Sequence, residues 1–244
     1  MGDGAAVCAP ERTSEAVSKI RVLRSGRLTY AEGLALQQRL ANGRRAGAEP
    51  DTLILLEHHP VITLGRGGKT ENLLFPKAVL EKQGVEVHES DRGGDVTYHG
   101  PGQVVAYPIF DLNPDRCDVR RYVCDLERVM IDLCADYGLV AGRKEKMIGT
   151  WLGGDATDGA TGPWRKIGAI GVHLSRWITT HGLAFNVSTN MNHFNLIVPC
   201  GLTGLAVTSL SQELGQEQAP TVEETMDAIT GHFARVFGAR VYEG

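Results

Sequence analysis

Cys200 sits in Leu196-Ile197-Val198-Pro199-Cys200-Gly201-Leu202, on a turn constrained by a proline before it and a glycine after it. On those neighbours alone an inert thiol reads as well as a reactive one. A sulfur nucleophile acts as the thiolate, and a free cysteine, with a pKa of about 8.5, is only a few per cent ionised at neutral pH. A cation must therefore stand beside it. Lys166 is one candidate, at the head of the apolar run Lys166-Ile167-Gly168-Ala169-Ile170-Gly171; His58, His99 and His181 are the others. The small residues after Lys166 leave room for a ligand to lie across a strand. The same feature returns in His181-Gly182-Leu183-Ala184.

A third stretch, Arg92–Pro108, reads RGGDVTYHGPGQVVAYP. Five of the eleven positions from Arg92 to Gly102 are glycine or proline (Gly93, Gly94, Gly100, Pro101 and Gly102). A surface hairpin with wide turns is the plain interpretation. Two glycine clusters bracketing Thr97, Tyr98 and His99 point instead to a cradle whose backbone approaches a ligand closely. Neither GxxxxGK[ST] nor GxGxxG is present, so the cradle is not marked for phosphate.

The elements that must position these residues follow from periodicity and breakers. Strands are expected at Ile20–Arg24, Thr52–Leu56, Val61–Leu64, Val85–His88, Val104–Phe110, Ile167–Leu174 and Trp177–Val187. A helix is expected over Tyr30–Ala46, with Ala31, Leu34, Ala35 and Ala41 on its inner face and Arg39, Arg44 and Arg45 outside. A short helix should open with Pro76 at its first position and stop at Gly84. The most regular stretch is Val119–Tyr137, where apolar residues recur every three or four positions, Cys134 among them, and Gly138 ends the run. Thr221 and Glu224 make a capping box for a last helix, with Val222, Met226, Ile229, Phe233, Val236 and Phe237 inward. Asp155–Pro163 is a polar loop at a hairpin tip, and the tail before Lys19 is expected to be disordered. We read residues 1–18 as that tail and 19–244 as one domain.

Composition narrows the classes. With 42% hydrophobic and 22% charged residues the chain has the make-up of a soluble globular protein. A net charge of −4 argues against general nucleic-acid or anionic-membrane binding. Basic clusters at Arg120-Arg121, Arg143-Lys144-Lys146 and Arg165-Lys166 are local exceptions. No apolar run reaches the ~18 residues of a membrane span, and the first residues lack a signal-peptide core. Five cysteines without CxxC spacing fit reduced thiols in a cytoplasmic protein better than a disulfide frame or a zinc site.

Taken together, these segments resemble the lipoyl(octanoyl) transferase family, from about Arg21 to the last helix. Arg92–Gln103 resembles that family's RGG-x-x-T-Y/W/F-H-G-P-G-Q signature without a gap. Glu57-His58 to Gly65 is similar to its EHPPV-type turn, with His59 where proline is usual. Lys166–Val187 resembles the lysine-headed and HG-x-A-x-N strands, and Val198–Gly201 the PCG turn, 200 − 166 = 34 residues beyond the lysine. The resemblance implies an α+β fold of the biotin/lipoate protein ligase type, a larger mixed sheet flanked by helices with a smaller sheet beside it. It also implies Cys200 as acyl-accepting nucleophile and Lys166 as its activating partner. Arg92, Gly93, Gly94, Asp95, Val96, Thr97, Tyr98 and His99 would hold the acyl thioester, with Ala169, Ile170, Gly171, Gly182, Leu183 and Ala184; His58 would be accessory.

The implied reaction moves an octanoyl group from octanoyl-acyl carrier protein to the lysine of a lipoyl domain, on 2-oxoacid dehydrogenase complexes or the glycine cleavage H protein. It needs no cofactor and no metal. Lys166 would favour the thiolate as an ammonium, then serve as base once acylation has removed the neighbouring negative charge. The long polar loop at 155–163 departs from the family pattern and bears on partner docking. An ATP-dependent lipoate or biotin ligase is the nearest rival; it needs no cysteine, and Gly65-Arg66-Gly67-Gly68-Lys69 is a weak counterpart of a ligase loop. An amidotransferase passing octanoyl between lipoyl domains shares the cysteine and stays open. A non-catalytic acyl-binding or metal-binding module using His58, His59, His99 and Cys200 is disfavoured by their scattered spacing.

Overall fold

The structure is a computed structural model that describes residues 18–154, 162–198 and 206–244. The tail expected to be disordered falls, except for Ser18, outside the described residues, as does most of the polar loop, residues 155–161.

In chain order the elements are β1 (Ser18–Leu28), α1 (Tyr30–Arg45), β2 (Thr52–His58), β3 (Val61–Leu64), α2 (Lys77–Lys82), β4 (Glu86–Glu89), β5 (Val96–His99), β6 (Gln103–Ile109), α3 (Val119–Asp136), β7 (Ala141–Lys144), β8 (Met147–Leu152), β9 (Arg165–Ser175), β10 (Ile178–Asn186), β11 (Ala206–Val207), α4 (Leu210–Leu214), α5 (Val222–Phe237) and β12 (Ala239–Glu243). The large sheet runs β12-β1-β2-β6-β10-β9-β8-β7, with β11 parallel to β9. Parallel pairs β12/β1 and β1/β2 stand beside the antiparallel run from β2 to β7, so the sheet is mixed. The smaller sheet runs β4-β3-β5.

Period-two alternation sends the two faces of the large sheet into different cores. Val104, Ala106, Leu183 and Phe185 meet α3 and α5, with Leu126, Met130, Ile229 and Phe233. Val105, Tyr107 and Ala184 face the other way, with Leu40 and Ala41 of α1. The small sheet has its own core, closed by Phe194 and Ile197. Asp118 caps α3 through the Arg120 and Arg121 amides, and both the Thr29–Glu32 and Thr221–Glu224 capping boxes form. The architecture agrees with the expected α+β class, a larger mixed sheet flanked by helices and a smaller sheet beside it.

Local expectations shift in several places. On α1, Ala31 and Ala35 are exposed, and the buried side is Tyr30, Gly33, Gln37, Leu40 and Ala41. A glutamine lies in the buried stripe because its Oε1 accepts the His181 amide at 2.6 Å. Arg44, expected outside, is partly buried and paired with Asp51 at 2.6 Å. Pro76 occupies the N-cap of α2, not its first helical position, with ψ at 141°. Val119 on α3 is exposed. Strands β5, β7, β8, β11 and β12 lie beyond the expected set; β12 is a sheet edge paired with the start of β1.

Candidate active site

The cradle is held by its backbone on two sides. The Gly93 amide donates to the Val172 carbonyl of β9 at 2.9 Å, while Gly65 and Gly67 donate to the Asp95 and Gly94 carbonyls at 3.2 and 3.0 Å. Glycines are required where these segments touch. A Cβ on Gly65 would lie 2.5 Å from the Gly94 oxygen, and one on Gly171 would lie 2.8 Å from the Gly93 oxygen. What crosses β9 at Gly171 is thus the cradle itself. Gly182 is small for another reason: a Cβ there would meet the Ala106 carbonyl at 2.2 Å. Gly94 has φ +88°, the left-handed region that glycine adopts without strain.

Arg92, 7% exposed, is fixed by Thr63: Nη2 donates to its carbonyl at 2.7 Å and to Oγ1 at 2.8 Å, and Nη1 donates to the Gly93 carbonyl at 3.1 Å. The guanidinium thereby shapes the loop that it begins. Asp95 is engaged similarly, accepting from the Asn72 amide at 2.8 Å and from Val96 N–H at 2.7 Å.

Between cradle and sheet lies a cavity of about 420 Å³. Its lining brings together Lys166, Ala169, Ile170, Gly171, Gly182, Leu183, Ala184 and every cradle position from Arg92 to His99 except Tyr98. Tyr98 points into the small-sheet core, hydrogen-bonded to His193 Nδ1 at 2.7 Å and edge-on to Phe194. Burial pushes its phenol up to about 12. The sequence reading missed Tyr107, Val123, Ile148, Trp151 and Phe194, all of which line the cavity. Only Tyr107 carried a signal, as the one aromatic residue with a polar hydroxyl in the apolar run after the signature.

Lys166 Nζ donates to the Ile148 carbonyl at 3.0 Å and stands 4.8 Å from the centre of the Trp151 ring. A carbonyl oxygen and an aromatic face are both partners for a cation. Gly149, φ +124°, leaves space for the lysine stem: a Cβ there would lie 3.2 Å from Lys166 Cε. Two of the nearby basic residues are held by carboxylates, Arg143 by Glu127 at 2.6 Å and Arg165 by Glu213 at 2.8 Å.

Cys200 lies outside the described residues. The described chain before it ends at Val198, whose amide donates to the Asn72 carbonyl at 2.8 Å. After it the chain resumes at β11, which pairs Ala206 with Arg165 and Val207 with Lys166.

His58 and His99 are buried side by side, their rings 5.9 Å apart. His58 Nδ1 faces the Leu28 carbonyl at 3.1 Å and so carries the proton, which leaves Nε2 to accept from the Tyr107 hydroxyl at 2.8 Å. Burial above all lowers His58 to about 4. His99 is lowered to about 3, by burial first and then by His58 and Arg92. Its Nδ1 donates to Gln103 Oε1 at 2.8 Å, Gln103 Nε2 donates to Asn186 Oδ1 at 2.9 Å, and Asn186 Nδ2 donates to the Thr208 carbonyl at 2.9 Å. The Thr208 amide in turn donates to the Lys166 carbonyl at 2.9 Å, so the chain of bonds ends on the strand of the lysine. His181, with φ +57°, is bonded through Nε2 to Asp91 at 2.7 Å. Burial, set against that bond, leaves it below its ordinary value.

The large mixed sheet with the smaller sheet beside it is a fold shared with lipoate and biotin protein ligases. A two-component lipoate protein ligase from Thermoplasma acidophilum, described with its E2 lipoyl domain, superposes with a TM-score of 0.68 at 13% identity, covering 93% of this chain and 87% of that one. The biotin protein ligase of Aquifex aeolicus gives 0.50 at 10% identity, over 90% of this chain and 70% of that one. At the level of sequence, residues 29–234 match the lipoyl protein ligase A/B catalytic domain, and the chain belongs to that family. It is 52% identical to the octanoyltransferase of Myxococcus xanthus over 91% of this chain and 60% of that protein. It is 49% identical to the octanoyltransferase of Solibacter usitatus over 90% of this chain and 93% of that protein. The chain accordingly stands with the acyltransferases of the family. Among the described residues no helix is long and apolar enough to cross a membrane.

Proposed function

We propose that this chain transfers octanoyl from octanoyl-acyl carrier protein to the lysine of a lipoyl domain, through a thioester on Cys200, as the first step of protein lipoylation. The observation that carries the reading is the placement of Lys166. It lines the slot between cradle and β9, and β11, the first described strand after Cys200, pairs with it. The names of the relatives support octanoyl as the group moved. The Thermoplasma ligase, which has a lipoyl domain as partner, supports a lipoyl-domain acceptor.

In the first step the Cys200 thiolate attacks the thioester carbonyl and expels the carrier thiolate, one thioester replacing another. Lys166, as ammonium, stabilises the attacking sulfur and protonates the leaving thiolate. In the second step the acceptor lysine amine attacks the acyl-enzyme, its proton passes to Lys166, and Cys200 leaves as thiolate. The product amide is more stable than the thioester, which drives the sequence forward. The oxyanion of each tetrahedral intermediate requires N–H donors at the Lys166 end of the slot. The same reading assigns residues 19–244 to one catalytic domain and residues 1–18 to an N-terminal tail.

Octanoyl transfer from purified octanoyl-acyl carrier protein to a lipoyl domain, in ATP-free and magnesium-free buffer, tests the assignment. Full transfer is expected, because the thioester is already activated. Absolute dependence on ATP would place the chain with the ligases. Transfer only from an octanoylated lipoyl domain would make it an amidotransferase.

A further inference from the structure

The rows of side chains that cross the slot place its closed end. Pairing of β10 with β6 sets Asn186 against Gln103, Ala184 against Val105 and Leu183 against Ala106. Pairing of β10 with β9 sets Ala184 against Ala169 and Gly182 against Gly171. On the cavity side the floor therefore runs in three rows: polar Gln103 and Asn186 nearest Lys166, then Ala184 and Ala169, then Tyr107 beside Gly182 and Gly171. With a register shift against β8 between Gly168 and Lys166, β9 carries the slot from Lys166 along to Gly171. There the slot shuts, because Gly93 bonds Val172 at 2.9 Å and its oxygen fills the space above Gly171.

Tyr107 lies at this end, where the Arg92 side chain also packs, its Cδ 2.9 Å from where a Cβ on Gly171 would be. Tyr107 is 4% exposed, lines the cavity, and is backed by Leu40, Ile54 and Leu56. Its hydroxyl donates to His58 Nε2, which directs the polar end of the phenol away and leaves ring carbon toward the slot. His58 is fixed in turn by the Leu28 carbonyl, and a Cβ on Gly33 would lie only 2.8 Å from its ring, so neither partner has room to swing. We infer that Tyr107 is the end-stop of the acyl slot and sets the length of acyl chain the enzyme accepts, with His58 positioning it. This rests on the proposed function, which puts the reacting carbonyl at the Lys166 end.

The test is a chain-length profile with octanoyl-, decanoyl- and dodecanoyl-acyl carrier protein. An apolar pocket discriminates by about tenfold or more for each methylene it cannot hold. Tyr107→Ala should raise the dodecanoyl-to-octanoyl ratio of kcat/KM by about tenfold or more. Tyr107→Phe, which keeps the ring, should keep the wild-type ranking. An unchanged ratio in a folded Tyr107→Ala overturns the inference. Wild-type enzyme supplies an arm that does not depend on a variant folding. Octanoyl-acyl carrier protein bearing a diazirine at C7, irradiated after acylation, should label the β6 peptide at Tyr107; label confined to Ile148 or Phe194 overturns the inference. Wild-type enzyme that takes up no acyl group from any of these thioesters fails at an earlier stage, and it is the proposed function that falls.

Discussion

The Gly93 amide and the Val172 carbonyl, 2.9 Å apart, tie the cradle to the strand that Lys166 begins. The loop and the lysine are therefore parts of one rigid frame, and a substitution that parts them should be felt at both. Gly171→Ala puts a methyl 2.8 Å from the Gly93 oxygen and 2.9 Å from Arg92 Cδ, neither of which can yield cheaply. Overpacking of this kind costs about 1–3 kcal/mol. We expect a lower urea midpoint and little acyl-enzyme. Near-normal acylation would mean that the clamp is dispensable.

Gly94 differs, because a Cβ there meets only Arg92 Nη1 at 3.5 Å. The penalty comes from its φ of +88°, a region that costs an L-residue about 1–2 kcal/mol. Gly94→Ala should leave the circular dichroism spectrum unchanged at room temperature yet slow acylation by carrier protein. Acylation at the wild-type rate would show that the loop shapes the fold and nothing else.

Stability should fall in mild acid. His58 and His99 are held near pKa 4 and 3 inside the fold, against about 6.5 when unfolded. Between those values the unfolded chain binds more protons, so stability rises with pH across the window and is lost as pH drops from about 6.5 toward 3. Each group accounts for a few kcal/mol at most, by order of magnitude. Urea midpoints measured from pH 7 to pH 4 should decline, and less steeply in His58→Gln, which keeps a donor and an acceptor but does not titrate. A flat profile in the wild type would contradict the burial of neutral histidines.

How much of this was legible beforehand depended on where the signal lay. The cradle and the lysine-headed strand announce themselves through local composition, Gly93-Gly94 and Gly168-Ala169-Ile170-Gly171. The reason for the small residues did not show, since Gly171 answers to a loop some eighty positions away and Gly182 to a neighbouring strand. Tyr98 and Thr97 are adjacent in one signature, yet strand alternation sends the first into the small-sheet core and leaves the second on the cavity. Gln37 broke the apolar pattern of α1 because the acceptor it supplies is needed by His181, far along the chain. Strand β12 owes its place to pairing with β1 across nearly the whole sequence, which no local window contains.

Lys166 should separate into two roles, since arginine keeps the cation yet does not deprotonate in proteins. Lys166→Met should need a higher pH than wild type for iodoacetamide to alkylate Cys200. Lys166→Arg should keep the low-pH alkylation and form acyl-enzyme, then stall in single-turnover transfer to the lipoyl domain. Transfer at the wild-type rate would assign the base elsewhere.

Whether the octanoyl group passes through Cys200 is answered most directly by intact-protein mass spectrometry after incubation with octanoyl-acyl carrier protein. Of the other cysteines, Cys134 is buried in the main core with its thiol pushed up by burial, and Cys117 and Cys124 lie away from the cavity lining. The wild type should gain one octanoyl mass, mapped to the Cys200 peptide and absent from Cys200→Ala. An adduct that persists in Cys200→Ala, or that maps to Cys117 or Cys124, would contradict the account.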